Sequence, residues 1–146
     1  MKTHSILFAA LIGATLAASV PVAANEQAGE PVVAQTFMGK TYLNGGIGKD
    51  EVDFMHRTAH EFPLRLIFSE RKDGEFTADV SVVISDARGN SVFELSNAGP
   101  MLYVMLPNGK YKISARFKGM TESQEVTLSG KEGKDLYFHW KGTPKQ

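Results

Sequence analysis

The stretch that decides the fold is Gly99-Pro100-Met101-Leu102-Tyr103-Val104-Met105-Leu106-Pro107-Asn108-Gly109-Lys110-Tyr111-Lys112-Ile113-Ser114-Ala115-Arg116-Phe117-Lys118-Gly119. Turn-forming residues punctuate it at Gly99-Pro100, Pro107-Asn108-Gly109 and Gly119. Met101 to Leu106 is continuously apolar and too short for a free-standing helix, so it reads as a strand covered on both faces. From Lys110 the pattern alternates: Tyr111, Ile113, Ala115 and Phe117 point one way, Lys110, Lys112, Ser114, Arg116 and Lys118 the other. That is a strand with one wet face. Pro107-Asn108-Gly109 then predicts a hairpin between these two strands. A second reversal at Gly119-Met120 sets Ile113 opposite Val126 and Tyr111 opposite Leu128. Turning instead at Lys118-Gly119 faces Ile113 with Gln124, a poorer pair.

Working outward, the same punctuation repeats. Leu64, Leu66 and Phe68 alternate with Arg65, Ile67 and Ser69. Phe76 to Ser85 alternates over ten residues and predicts the longest strand. Asp86-Ala87-Arg88-Gly89-Asn90 is a turn, and Val92 to Ser96 a shorter strand. Leu136, Phe138 and Trp140 alternate with Asp135, Tyr137 and His139, which buries Trp140 and obliges its indole N–H to find a partner. Before the strands, Asp50, Glu51 and Asp53 suit the first turn of a helix, and Val52, Met55, Ala59 and Phe62 recur on one face of it. Pro63 ends that helix. The sum is a mainly β chain: an antiparallel seven-stranded β-sandwich preceded by one short α-helix.

The 146 residues carry 16 lysines and arginines against 16 aspartates and glutamates, so no strong field draws the chain to nucleic acid. The absence of cysteine excludes disulfides, thiolate metal sites, a cysteine nucleophile and a lipoprotein anchor. Residues 1–24 read as a signal peptide: Lys2 and His4, an apolar run from Ile6 to Ala18 too short for a bilayer, and Val22-Ala23-Ala24 before cleavage at Asn25. The mature chain is then periplasmic or secreted and carries no membrane span. Residues 25–44 read as a flexible leader with a short strand over Thr36–Leu43, and 45–142 as helix plus sandwich.

The run Leu106-Pro107-Asn108-Gly109-Lys110-Tyr111, with Asp86-Ala87-Arg88-Gly89 before it and Gly119 after, resembles the carboxypeptidase regulatory-like domains. These are transthyretin-like, or prealbumin-like, β-sandwiches. With Gly45-Gly46-Ile47-Gly48-Lys49-Asp50-Glu51 added, the chain looks like small exported proteobacterial proteins that join such a domain to this segment. The resemblance spans roughly Gly45 to Trp140 and implies a prealbumin-like fold. It implies no activity, because the matching residues are turn and core positions and the zinc peptidase of the carboxypeptidases is a separate domain. The transthyretin-like hydrolase of 5-hydroxyisourate ends in Tyr-Arg-Gly-Ser, whereas the last strand here ends in His139-Trp140-Lys141-Gly142.

Few residues are candidates for chemistry. His56 and His60, four apart on the helix, share a face and can share a metal ion. Arg57 stands where the zinc-protease motif needs glutamate, and a third ligand has to come from elsewhere, His139 being a candidate. The basic strand face of Lys110, Lys112 and Arg116 suits an anionic glycan or head group, unless Glu122 and Glu125 neutralise it. Tyr137, alone among Tyr42, Tyr103, Tyr137 and Trp140, has the parity of an outward aromatic on which a sugar ring stacks. The methionines form no copper cluster, no serine stands in a Gly-x-Ser-x-Gly turn, and no cofactor is implied. The expectation is a non-catalytic envelope module that binds another envelope protein or a cell-envelope glycan. The alternative is a small ligand-binding module for glycan or metal ion.

Overall fold

The computed structural model describes residues 32–70 and 76–140. The signal peptide expected over 1–24 lies outside the described residues. Nine strands and one helix follow in the order β1 (Gln35–Phe37), β2 (Lys40–Gly45), α1 (Lys49–Thr58), β3 (Leu64–Ser69), β4 (Val80–Asp86), β5 (Ser91–Ala98), β6 (Met101–Val104), β7 (Gly109–Phe117), β8 (Met120–Leu128) and β9 (Lys134–His139). They form a five-stranded sheet in the order β1-β2-β6-β3-β9 and a four-stranded sheet in the order β5-β4-β7-β8. Every pairing is antiparallel except β3 with β9, which is parallel.

The expectation of seven strands is therefore too low: the described residues hold nine. The flexible leader expected over 25–44 is also corrected from Gln35 onward. The strand foreseen over Thr36–Leu43 is a hairpin, β1 and β2, broken at Met38 (φ 49°) and Gly39 (φ 73°). Conversely, the ten-residue strand expected from Phe76 to Ser85 begins only at Val80, because Asp79 takes a left-handed φ of 59° and interrupts the pleat.

The principal correction concerns the opening stretch. β6 and β7 do not pair with each other: β6 lies between β2 and β3, β7 between β4 and β8. Pro107-Asn108-Gly109 carries the chain from one sheet to the other. Tyr111 fixes this corner by donating its hydroxyl to the Pro107 carbonyl, 2.7 Å away.

The inner faces of the two sheets share one core. Leu64, Leu66, Phe68, Leu102, Val104 and Phe138 from the first sheet meet Val82, Ile84, Phe93, Ile113 and Ala115 from the second. Trp140 is buried there as expected, and its indole N–H donates to the Met120 carbonyl at 3.0 Å. At one side Phe93 of β5 meets Phe37 of β1 and Tyr42 of β2 edge-on, with centroids 5.9 and 5.2 Å away. At the other side Gln124 of β8 donates its amide to the Tyr137 carbonyl of β9 at 2.6 Å. That bond accommodates a second correction to the expected register. β7 and β8 turn at Lys118 (φ 47°) and Gly119 (φ 78°), which sets Ile113 opposite Gln124 and Tyr111 opposite Val126. Gln124 is tolerable on the inward face because it stands at the edge of the core and finds a backbone acceptor across the gap.

α1 lies on the outside of the five-stranded sheet. Met55 and Phe62 from the helical segment pack with Leu43, Met101 and Tyr103 from β2 and β6, with Val52 and Ala59 half-buried alongside. This is why Met101 to Val104 is apolar without a break: Leu102 and Val104 face the core, Met101 and Tyr103 the helix. Gly46, at φ 99°, fits against Met101, whose Cγ would lie 2.8 Å from any added Cβ. The Glu51 carboxylate accepts the Ile47 N–H at 2.8 Å and ties the first turn of the helix to the loop before it.

Candidate functional site

α1 covers only the β2–β6 half of the outer face. Over β3 and β9 a cleft of about 480 Å³ remains, lined by His56, Ala59 and His60 from the helical segment and by Arg65, Ile67, Met101, Tyr103, Asp135 and Tyr137 from the sheet. The residues reach this face by strand parity. Arg65 and Ile67 alternate with the core residues Leu64, Leu66 and Phe68, and Asp135 and Tyr137 alternate with Leu136 and Phe138. Parallel pairing sets Arg65 beside Asp135 and Ile67 beside Tyr137.

Arg65 organises the cleft. Its Nε donates to Asp135 Oδ1 at 2.5 Å, and its Nη1 donates to the carbonyls of Ala59 (2.9 Å) and Phe62 (3.1 Å). One guanidinium thus ties the last turn of the helical segment, Ala59–Glu61, to β3 and β9, adding a donor to carbonyls at the helix end. It lies directly over Gly133, where a Cβ would stand 2.1 Å from Nη1. The Arg65 side chain is 15% exposed and that of Asp135 46%, so the pair is half-sheltered and its charges cancel within the cleft.

Tyr103 forms the floor. It is 2% exposed, and its ring lies 6.0 Å from that of Phe62. Burial, followed by the charge of Asp135 and the nearby Tyr137, pushes its hydroxyl above the ordinary tyrosine range, while Arg65 opposes the rise. Tyr137 is 55% exposed at the far wall, as its parity foretold. The His139 ring is nearly parallel to it, at 20° and 6.4 Å.

The expected candidate residues are thus divided among different places. His56, His60 and Tyr137 come together around this one cleft. His139 does not complete a metal set with the helix histidines: its Nδ1 is 2.6 Å from Ser69 Oγ, and among the described residues no three His, Asp or Glu side chains gather into a group able to hold a metal ion. Lys110, Lys112 and Arg116 lie on the outer face of the other sheet, opposite Thr127, Glu125 and Thr121 respectively. Lys110 and Lys112 border a separate open depression of about 700 Å³ together with Asp86 and Glu125, and Arg116 stands away from it. Glu125 faces this basic row, but Glu122 does not: it is opposite Ala115 and shares that residue's inward parity. Lys118 instead reaches Glu70 at 2.8 Å.

The Ser69–His139 contact resembles half of a nucleophilic dyad. It joins register partners on the neighbouring strands β3 and β9, and Ser69 is 6% exposed, so it acts as a cross-strand tie. Sequence reasoning alone read Tyr103 as core and passed over Arg65 and Asp135 as site residues. The signal for Arg65 was present, a cation inside the apolar run Leu64-Arg65-Leu66-Ile67-Phe68, but its partner depends on a parallel pairing that no local pattern announces.

The chain matches no protein-family model and no curated protein sequence. Among the described residues no helix is long and apolar enough to cross a membrane.

Proposed function

We propose that this chain is an exported, non-catalytic β-sandwich module of the carboxypeptidase regulatory-like, prealbumin-like kind, which binds a component of the cell envelope through the cleft beside α1. The cleft is the observation that carries the reading: a concave site of ligand-pocket size, with polar groups convergent on an apolar floor. Export is supported by the signal-like leader, and the family by the Leu106–Tyr111 corner, where the Tyr111 hydroxyl closes on Pro107. The polar groups of the cleft hold one another in place. Arg65 is held by Asp135 and by two helix carbonyls, which suits recognition better than turnover.

A photo-crosslinking amino acid at His60, compared with one at Lys112 on the opposite sheet, tests the reading in intact cells. His60 should capture a discrete envelope product that Lys112 does not. Identical patterns from the two positions would sink the assignment of binding to this cleft.

A further inference from the structure

The geometry points to a neutral saccharide as the ligand of the cleft, stacked on Tyr137 and hydrogen-bonded by Tyr103 and Asp135. This rests on the proposal that the cleft is the binding site, and names what it takes.

Tyr103 is the observation that singles out a ligand. Its ring is almost wholly buried, yet its hydroxyl makes no hydrogen bond among the described residues. No fully enclosed polar side-chain atom among those residues lacks a partner. The hydroxyl therefore meets solvent at the cleft floor, protonated and able both to donate and to accept. A buried tyrosine ordinarily spends its hydroxyl inside the protein, as Tyr111 does on Pro107 and Tyr42 on Gln35. Tyr103 keeps its own for something that enters.

Asp135 supplies the second polar contact. Arg65 fixes one of its oxygens, which leaves the other as a positioned acceptor on a half-exposed carboxylate. Tyr137 supplies a stacking surface. His139 can cover one face of that ring at most, and the ring lines the cleft. The negative face of an aromatic ring attracts the C–H hydrogens on the apolar side of a pyranose.

Charge and polarity decide between ligand classes. The Arg65–Asp135 pair is neutral as a unit, so the floor offers an anionic ligand no net charge to pair with. A purely apolar ligand would strip water from Asp135 and Tyr103 and give no hydrogen bond in return, which costs free energy. A neutral, hydroxyl-rich molecule with one apolar face satisfies all three groups. The volume, about 480 Å³, falls within the ordinary range of small-molecule sites and admits more than a few waters.

The test is an amide-resonance titration of the full chain with neutral gluco-, manno- and N-acetylglucosamine oligosaccharides, and with an anionic oligogalacturonate. One neutral series should give saturable shifts confined to residues 56–60, 65–67 and 134–139. Tyr137→Ala should weaken it about ten-fold or more, and Tyr103→Phe about three- to ten-fold. Tyr103→Phe should leave the melting temperature unchanged, because the hydroxyl it removes has no partner among the described residues. Both variants keep a folded reference, since Tyr137 is exposed and phenylalanine preserves the buried ring. A flat titration across all neutral sugars, binding indifferent to both substitutions, or preference for the anionic sugar overturns the assignment. If the sugars fail while the His60 crosslink persists, the cleft binds something else. If the crosslink is also lost, the cleft is not the binding site.

Discussion

On the five-stranded sheet, Leu43, Met101 and Tyr103 look outward and meet α1; on the four-stranded sheet, Val83, Lys112, Ser114 and Arg116 look outward and meet solvent. Both sheets contribute to the core between them. The difference lies on the far sides, and it shows in the strands themselves. β6 is buried at every residue, whereas β7 alternates between buried and wet. A sheet with one covered face tolerates lysines, serines and threonines on the other, because solvent satisfies them. A sheet covered on both faces must enclose each polar group it keeps with a partner. Arg65, 15% exposed and bonded to Asp135 at the cleft, is that case, and Tyr103 departs from it. The binding groups lie where the covering helix stops short, at the border between a dry outer face and a wet one.

Cutting a side chain under the helix breaks this contrast most strongly. Met55 is fully buried, and Met55→Ala should cost about 2–5 kcal/mol in denaturant unfolding. Val83→Ala, on the uncovered face and 38% exposed, should stay within about 0.5 kcal/mol. Comparable losses at the two positions would mean that α1 contributes little to the stability of the fold.

Arg65→Met should cost about 1.5–3 kcal/mol, because it removes a charged donor from Asp135 and from the carbonyls of Ala59 and Phe62. Gly133→Ala should cost about 1–3 kcal/mol by pushing the guanidinium off its seat. The two should not add. Without the guanidinium the new methyl group has room, so the double variant should be close to Arg65→Met alone. Additive losses would show that Gly133 is required for its backbone and not for the space above it.

High pH probes the covered outer face and the core through one buried tyrosine each. Burial raises the pKa of Tyr103 under the helix and of Tyr111 in the core, the latter with Asp86 adding to the rise. Near pH 10 and above, the unfolded chain therefore loses protons that the folded chain retains, so it binds fewer and stability falls as pH rises. Replacing both tyrosines with phenylalanine should flatten the alkaline limb of the stability curve. At neutral pH only Tyr111→Phe should cost stability, about 1 kcal/mol, since of the two only Tyr111 has an acceptor among the described residues.

Much of this contrast was legible in the sequence. The unbroken Met101–Leu106 run announced a strand covered on both faces, the Lys110–Lys118 alternation one wet face, and the Val52, Met55, Ala59 and Phe62 stripe the helix that does the covering. Tyr137 was placed outside by parity alone. What stayed hidden was every relation between distant segments. Pro107-Asn108-Gly109 has the composition of a hairpin turn, and local chemistry does not separate a hairpin from a crossing between sheets. The parallel pairing of β3 with β9, which makes Arg65 and Asp135 partners, joins segments seventy positions apart. Tyr103 was read as core because its ring is core, and the vacancy around its hydroxyl depends on where the helix ends.

The smallest effect concerns the β7–β8 turn, where pair quality alone selected the wrong register. Facing Ile113 with Val126 would pair two apolar side chains, and the molecule forgoes that pair. Its turn places Lys118 and Gly119 both at positive φ, the geometry of a two-residue hairpin that matches strand twist. Lysine is a poor occupant of a left-handed position, so Lys118→Asn should stabilise by about 0.5 kcal/mol, even though the ion pair with Glu70 is lost. Gly119→Ala should cost about 1 kcal/mol, its added Cβ meeting no atom but its φ of 78° being strained. If the register were instead held by Gln124 reaching the Tyr137 carbonyl, Gln124→Val would move it. The expected outcome is that Gln124→Val leaves the cross-strand contacts of Ile113 in place, since turn geometry outweighs one hydrogen bond at the edge of the core.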